Sequence, residues 1–161
     1  MSKSITGNLL YRATRDGFSA EAFHSKCDGV ANTITIIKNN FNYVFGGYAS
    51  EPWNSSGSYI YDRNAFLFSL RKYGISQKND KFLVGSIGYA LYGHSNYGPT
   101  FGAGHDLHIC DHSNVTIGNH SNFGHSYILP AGLIYGRTAR DRLAGNYNQW
   151  KTVEIEVYQI S

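Results

Sequence analysis

The chain has 161 residues, 42% of them hydrophobic and 16% charged, which is room for one core and too apolar for a disordered polymer. Its 14 basic and 11 acidic side chains leave a formal charge of +3, and only Arg137, Arg140 and Arg142 fall close together, so no nucleic-acid partner is expected. No stretch approaches the ~20 apolar residues of a membrane span, so no membrane insertion is expected either.

In chain order, Met1 to Gly7 lack the apolar core of a signal peptide. A cytosolic protein, a processed chain and export by another route all remain open. Asp16-Gly17 reads as a turn, with Ser19 capping a helix over Ala20–Lys26. Phe18 and Phe23 have the spacing of a hydrophobic staple, and Gly29 ends the helix where a positive φ is needed. Strands follow at Thr33–Ile37 and Tyr43–Phe45, flanking an Asn39-Asn40 turn. Gly46-Gly47 marks a bulge or a close backbone approach. Ala65–Leu70 is apolar on both faces, which predicts a covered central strand; Lys81–Val84 and Asp106–Cys110 are shorter candidates. Thr152–Val157 alternates strictly, predicting Val153, Ile155 and Val157 inside and Glu154 and Glu156 outside.

The aromatic share is 15%, with 13 Tyr, and there are 18 Gly, which fits sheets and tight turns better than a helical bundle. Long Gly/Ser/Asn loops are expected at Ser50–Ser58, Gly93–Gly104 and Asp111–Gly124, where function usually sits. His94-Ser95-Asn96-Tyr97-Gly98 is echoed by His120-Ser121-Asn122-Phe123-Gly124 and in part by His112-Ser113-Asn114, at spacings too unequal for a solenoid. Cys27 and Cys110 make no disulfide framework; free thiols, one internal bridge and one intersubunit bridge all remain open.

Several stretches together resemble the TLDc family: Leu10-Tyr11 through Phe18-Ser19, Phe23 to Gly29, and Phe45-Gly46-Gly47-Tyr48 with Trp53. Ala65–Leu70, Phe101–Leu107 and the closing Glu154-Ile155-Glu156-Val157-Tyr158 continue the order across nearly the whole chain. The resemblance implies a mostly β (α+β) fold, a β-sandwich of two antiparallel sheets with short flanking helices, as one domain over 1–161. It also implies an intracellular adaptor that binds the vacuolar proton pump or resists oxidation. The chain ends Glu-Val-Tyr-Gln-Ile-Ser where the family commonly has Glu-Val-Trp-Gly, and that departure argues against the pump role. Its size and its His- and Asn-rich loops resemble instead an invertebrate branch, implying a soluble, calcium-dependent galactose-binding lectin.

Catalytic motifs are missing: there is no Gly-x-Ser-x-Gly elbow, no Walker A loop and no His-Glu-x-x-His, so the chain is expected not to be an enzyme. His24 and Cys27 lie one helical turn apart but stand among residues shared with the family. His105, His108 and His112 with Asp111 are rich in zinc-ligand types, yet strand alternation would send His105 and His108 to opposite faces. Calcium fits better: Glu51, Asp106, Asp111 and Asn114 offer hard oxygens on turn-rich backbone. The candidate sugar-contacting residues are Trp53, Tyr97, His105 and Tyr59, whose rings could stack on the CH face that galactose's axial hydroxyl leaves continuous. The plain alternative for Trp53 is a ring capping the sandwich. Asn54, Asn114 and Asn119 each start a glycosylation triplet. A galactose-binding lectin would work as a homodimer, since agglutination needs more than one site.

Overall fold

The computed structural model describes residues 6–161, with the side chains at 77–79 outside the description, so Met1 to Ile5 of the expected 1–161 domain lie outside it. Strand β1 (Gly7–Arg12) leads into a one-turn helix α1 (Ala13–Asp16) and the longer helix α2 (Ala20–Cys27). Then come β2 (Thr33–Asn39), β3 (Val44–Ala49), β4 (Ser58–Ile60), β5 (Phe66–Lys72) and β6 (Ile75–Leu83). A 3-10 turn at Ile87–Tyr89 precedes β7 (Leu91–Gly93), β8 (Tyr97–Phe101) and β9 (Leu107–Cys110), and β10 (Thr152–Ile160) closes the chain. Two antiparallel sheets result, one of six strands in the order β1-β10-β2-β3-β5-β6 and one of four in the order β4-β7-β8-β9. This is the β-rich two-sheet sandwich expected from the sequence. The segment Gly93–Gly104, read as loop, carries β8; Gly98 and Pro99 hid it.

Helix α2 starts where its cap predicts: Ser19 Oγ accepts the Ala22 N–H at 3.1 Å. Gly29, with φ of 80°, turns the chain after the helix. The staple takes another form. Phe23 meets Tyr11, His24 and Trp53, with ring centroids 5.9, 4.9 and 5.5 Å away, while Phe18 packs on the margin of the core. Helix α2 is thus pinned by the sandwich itself more than by its own flank.

The C-terminal strand lies between β1 and β2, deep in the larger sheet. Ile155 and Val157 are buried as the alternation requires, but Val153 is 47% exposed. A bulge between Thr152 and Glu154 resets the register, and Thr152 takes the inward place with its hydroxyl 2.6 Å from that of Ser113. Glu154 and Glu156 lie half-buried on the outer face, Glu156 bridged to Arg12 at 3.0 Å. Gly46-Gly47 is the close approach its sequence suggested. A Cβ on Gly47 would sit 2.5 Å from the Phe101 ring of the other sheet, and one on Gly46 would sit 2.9 Å from Phe68. Burying Phe68 on the outer face in this way explains why β5 reads apolar on both sides while lying next to the edge strand.

Between β9 and β10 the chain runs over the sandwich without strand or helix. Asn119 replaces that missing structure. Its amide donates to the carbonyls of Ser113 and Trp150, both at 3.2 Å, and its oxygen accepts the Cys110 N–H at 2.9 Å. Full burial removes Asn119 as a glycosylation site. Trp150 anchors the far end of the segment against Phe45, ring centroids 5.4 Å apart.

Candidate functional site

The four-stranded sheet turns its inner face, with Leu91, Phe101, Leu107 and Ile109, into the core. Alternation sends Tyr59, Tyr92 and His108 outward, together with Thr100 and Cys110, and rings from the flanking turns join them. Tyr59 on β4 and Tyr92 on β7 are registered partners with centroids 4.8 Å apart. Tyr92 lies 5.9 Å from Tyr97 and 5.3 Å from His105. Tyr97 stacks on His94 at 4.5 Å and meets His108 edge-on at 4.6 Å. His105, His108 and His120 form a triangle with centroid separations of 5.4, 4.8 and 5.8 Å. Tyr147 follows at 6.2 Å from His120, and the Arg140 guanidinium lies 4.5 Å over its ring. A hollow of about 170 Å³ opens at this end, between His120, Tyr147, Ile117 and Asn148.

Imidazoles this close stay together because they are neutral. Burial pushes His108 down to about 3, with His120 and His105 adding like-charge repulsion. Burial also lowers His105 and His120. The Thr100 hydroxyl donates to the Gly98 carbonyl at 3.1 Å, so its oxygen accepts from His108 Nδ1 at 3.0 Å. That assigns the proton to Nδ1 and leaves Nε2 as an acceptor.

The turn carrying His94 and Tyr97 is fixed from beneath. His24 Nε2 lies 2.7 Å from the His94 carbonyl and 2.8 Å from that of Tyr97, and Nδ1 lies 2.6 Å from Asp28 Oδ1. The two carbonyls can only accept, so Nε2 is their donor, and Nδ1 and Asp28 Oδ1 share a hydrogen bond. Cys27 beside it is fully buried, its thiol pushed up to about 12 by burial and then by Asp28 and Asp16, so His24 and Cys27 form no nucleophile-base pair. Both cysteines are free.

Three of the four predicted sugar-contacting residues, Tyr59, Tyr97 and His105, meet on this face. Trp53 does not: it is 1% exposed, wedged between Phe23 and Phe101, with its indole N–H donating to Thr33 Oγ1 at 3.1 Å. The predicted calcium ligands are dispersed into other work. The buried Asp106 carboxylate accepts the backbone N–H groups of Gly124, Ser126 and Tyr127 at 2.9 to 3.1 Å, and burial still raises it to about 6. Asp111 Oδ1 accepts the Ala20 N–H at 2.7 Å, tying the end of β9 to the start of α2. Glu51 and Asn114 are exposed. Among the described residues no three His, Cys, Asp or Glu side chains are grouped to hold a metal ion. The alternation argument about zinc also needs correction. His105 precedes β9 in a turn at φ of 52° and so stacks beside His108 on the same face, while His112 lies apart, paired with Asp111.

Sequence reasoning missed Tyr92, His120 and Tyr147 as members of this face. The doubled His-Ser-Asn-aromatic-Gly pattern was the available signal: His94 and His120 both reach the face, though Phe123, the counterpart of Tyr97, is buried in the core. Buried Asp62 was missed as well. It accepts the N–H groups of Ser50 and Asn64 at 2.7 and 2.9 Å and the Ser50 hydroxyl at 2.6 Å, closing the loop above β4.

Two antiparallel sheets, a short helical pair after the first strand and a ring-lined outer face define a β-sandwich module. The chain belongs to the TLDc domain family, whose model matches residues 2–161. It is also similar to the MTOR-associated protein MEAK7 of Danio rerio, at 27% identity over 70 residues. That match covers 44% of this chain and 16% of the relative, so the chain spans a small part of that protein's length.

Proposed function

We propose that this chain is a non-catalytic TLDc adaptor that docks on a protein partner through the ring array of the four-stranded sheet. The observation that carries the reading is the continuity of that array, from Tyr59 through Tyr92, Tyr97 and the three imidazoles to Tyr147 and Arg140. Rigid amphipathic rings and arginine are the residues that protein interfaces concentrate, because they bury much area at low entropic cost. The buried Cys27 thiol and the fully engaged His24 support a role without nucleophilic chemistry. An MTOR-associated relative fits a protein-binding role, and the resemblance to pump-binding TLDc proteins makes the vacuolar proton pump the first partner to test, even though the closing Glu-Val-Tyr-Gln departs from their pattern. The test is interferometry of the full chain against purified pump sectors, with Tyr92→Ala and Tyr147→Ala as face variants. Binding weakened by both variants supports the reading; binding that ignores them moves the interface elsewhere.

A second reading rests on the convergence of Tyr59, Tyr97 and His105. Rings set around Tyr92 offer a stacking surface for galactose, as a lectin would use. Calorimetry with galactose before and after chelation separates the readings. Heat that disappears on chelation supports a calcium-assisted lectin, and no heat in either titration leaves the adaptor.

A further inference from the structure

Two hairpin turns of the six-stranded sheet lie side by side. Between β2 and β3 the chain turns through Asn40-Phe41-Asn42, and between β5 and β6 through Tyr73-Gly74. The Gly74 N–H donates to the Asn42 carbonyl at 2.9 Å, and the Tyr73 and Tyr43 rings are 4.8 Å apart. The first turn is also fixed from within. Asn39, fully buried, accepts the N–H groups of Phe41 and Tyr43 at 3.0 Å and donates to the Ala144 carbonyl at 2.7 Å.

The second turn breaks a local rule. Lys72 and Ile75 are registered partners, so Tyr73 and Gly74 form a two-residue loop, with φ of 49° and 78°. That is a type I′ turn, whose first central position favours Asn, Asp or Gly. A tyrosine held there pays conformational energy to display its ring, which is 70% exposed. Leu70, pushed outward by the bulge that interrupts β5, is 44% exposed, and Phe41 is 38% exposed.

The charge around these tips is positive. Lys38 and Arg71 flank Val44 in register and are exposed, Lys72 starts the turn, and the Lys151 carbonyl accepts the Asn40 N–H while its own N–H donates to the Asn40 side-chain oxygen. Neither turn contains an acidic residue. Of the nearby acids, Asp80 is paired with Arg142, Glu154, opposite Lys38, is bonded to Thr14, and the exposed Asp141 lies near Tyr43 against the four basic side chains.

We propose that these two tips form a docking surface for an anionic phospholipid bilayer, with Phe41, Leu70 and Tyr73 seated among the headgroups and Lys38, Arg71, Lys72 and Lys151 facing the lipid charge. Rings with a polar end belong at the membrane-water boundary, and basic side chains around them match the surface potential of acidic lipid. The two tips are the ends of adjacent hairpins and suit insertion between headgroups better than burial in a protein groove. The contact is peripheral; no helix among the described residues is long and apolar enough to cross a membrane. None of the residues of this surface belongs to the ring array of the proposed adaptor site.

The test is co-sedimentation of the full chain with phosphatidylcholine vesicles, with and without phosphatidylserine. Tyr73→Asn is the decisive variant, because asparagine suits the I′ turn and folding is kept while the ring is lost. The chain should pellet with the serine-containing vesicles and far less with the neutral ones. Tyr73→Asn should weaken that binding several-fold, and Lys38→Gln or Arg71→Gln should each weaken it about fivefold. Equal pelleting of Tyr73→Asn and the parent chain overturns the proposal, as does an absence of pelleting with acidic vesicles. Retention on polyglutamate without vesicle binding also overturns it, and assigns the tips to an acidic protein.

Discussion

Phe101 occupies the space that a side chain at position 47 would need: a Cβ on Gly47 would lie within 2.5 to 3.0 Å of three of its ring atoms. The two sheets therefore approach closely at this point, and Phe101 reaches Trp53, ring centroids 5.3 Å apart, over the same inner face. Gly47→Ala must push apart a buried ring and a central strand. The expected loss is about 1–3 kcal/mol, toward the upper end because both neighbours are fully packed. Urea denaturation measures it, and an unchanged midpoint would mean that the sheets can separate without cost.

Helix α2 has two side chains on its first turn, Ser19 accepting from Ala22 and Asp111 accepting from Ala20. Ser19→Ala should cost about 1 kcal/mol. Asp111→Asn keeps an oxygen acceptor and should cost less than Asp111→Ala, which also unties β9 from the helix. Two alanine variants of equal and negligible effect would show that water replaces both caps.

The strands with β-branched or alternating residues were legible in the sequence, as was the capped helix, because local periodicity and turn chemistry carry them. β8 was not, since Gly98 and Pro99 weaken a strand that its neighbours hold in place. Val153 shows the limit of alternation: a bulge is set by the pairing strand, and Thr152 satisfies the inward position through Ser113. On the ring face, residue type singled out Tyr59, Tyr97 and His105, which do meet there, but type alone could not tell Trp53 from them. An indole serves core and surface equally, and only the partners Phe23, Phe101 and Thr33 decide. The candidate calcium acids failed to converge because backbone N–H groups, silent in sequence, claim Asp106 and Asp111.

The imidazole triangle makes stability depend on pH. His108 titrates near 3 when folded and near 6.5 when unfolded, so from pH 6.5 downward the unfolded chain binds the proton first and stability falls. His105 and His120, both lowered, act in the same direction. Asp106 acts oppositely: raised to about 6 in the fold, it binds its proton before the unfolded chain does and stabilises as pH drops from 6 toward 4. Three imidazoles outweigh one carboxyl, so the unfolding midpoint should drop between pH 6.5 and 4. His108→Gln should flatten that drop, and Asp106→Asn should steepen it. A midpoint independent of pH in the parent chain would rule out a neutral imidazole triangle.

His24 offers the sharpest test of how the ring face is supported. Its Nε2 proton is shared by the carbonyls of His94 and Tyr97, and its Nδ1 is hydrogen-bonded to Asp28, whose other oxygen accepts from Ser55 at 2.6 Å. Helix α2 thus holds the 94–97 turn through one side chain, and the turn presents His94 and Tyr97 to the array. His24→Ala leaves two carbonyls and a carboxylate without their partner, a cost of about 1–3 kcal/mol for the unsatisfied groups. Most of that cost can be relieved locally if the turn lifts into water. Amide exchange at Asn96 and Tyr97 should then rise at least about tenfold, the ratio that ~1.4 kcal/mol of lost local stability gives. Exchange across β2 and β10, on the other sheet, should stay as it was. His24→Gln restores one hydrogen-bonding end but not both, and should fall between the parent and the alanine variant. Uniform acceleration across both sheets would instead make His24 a general core residue, and unchanged exchange at the turn would show that Tyr97 is held in place by its ring contacts alone.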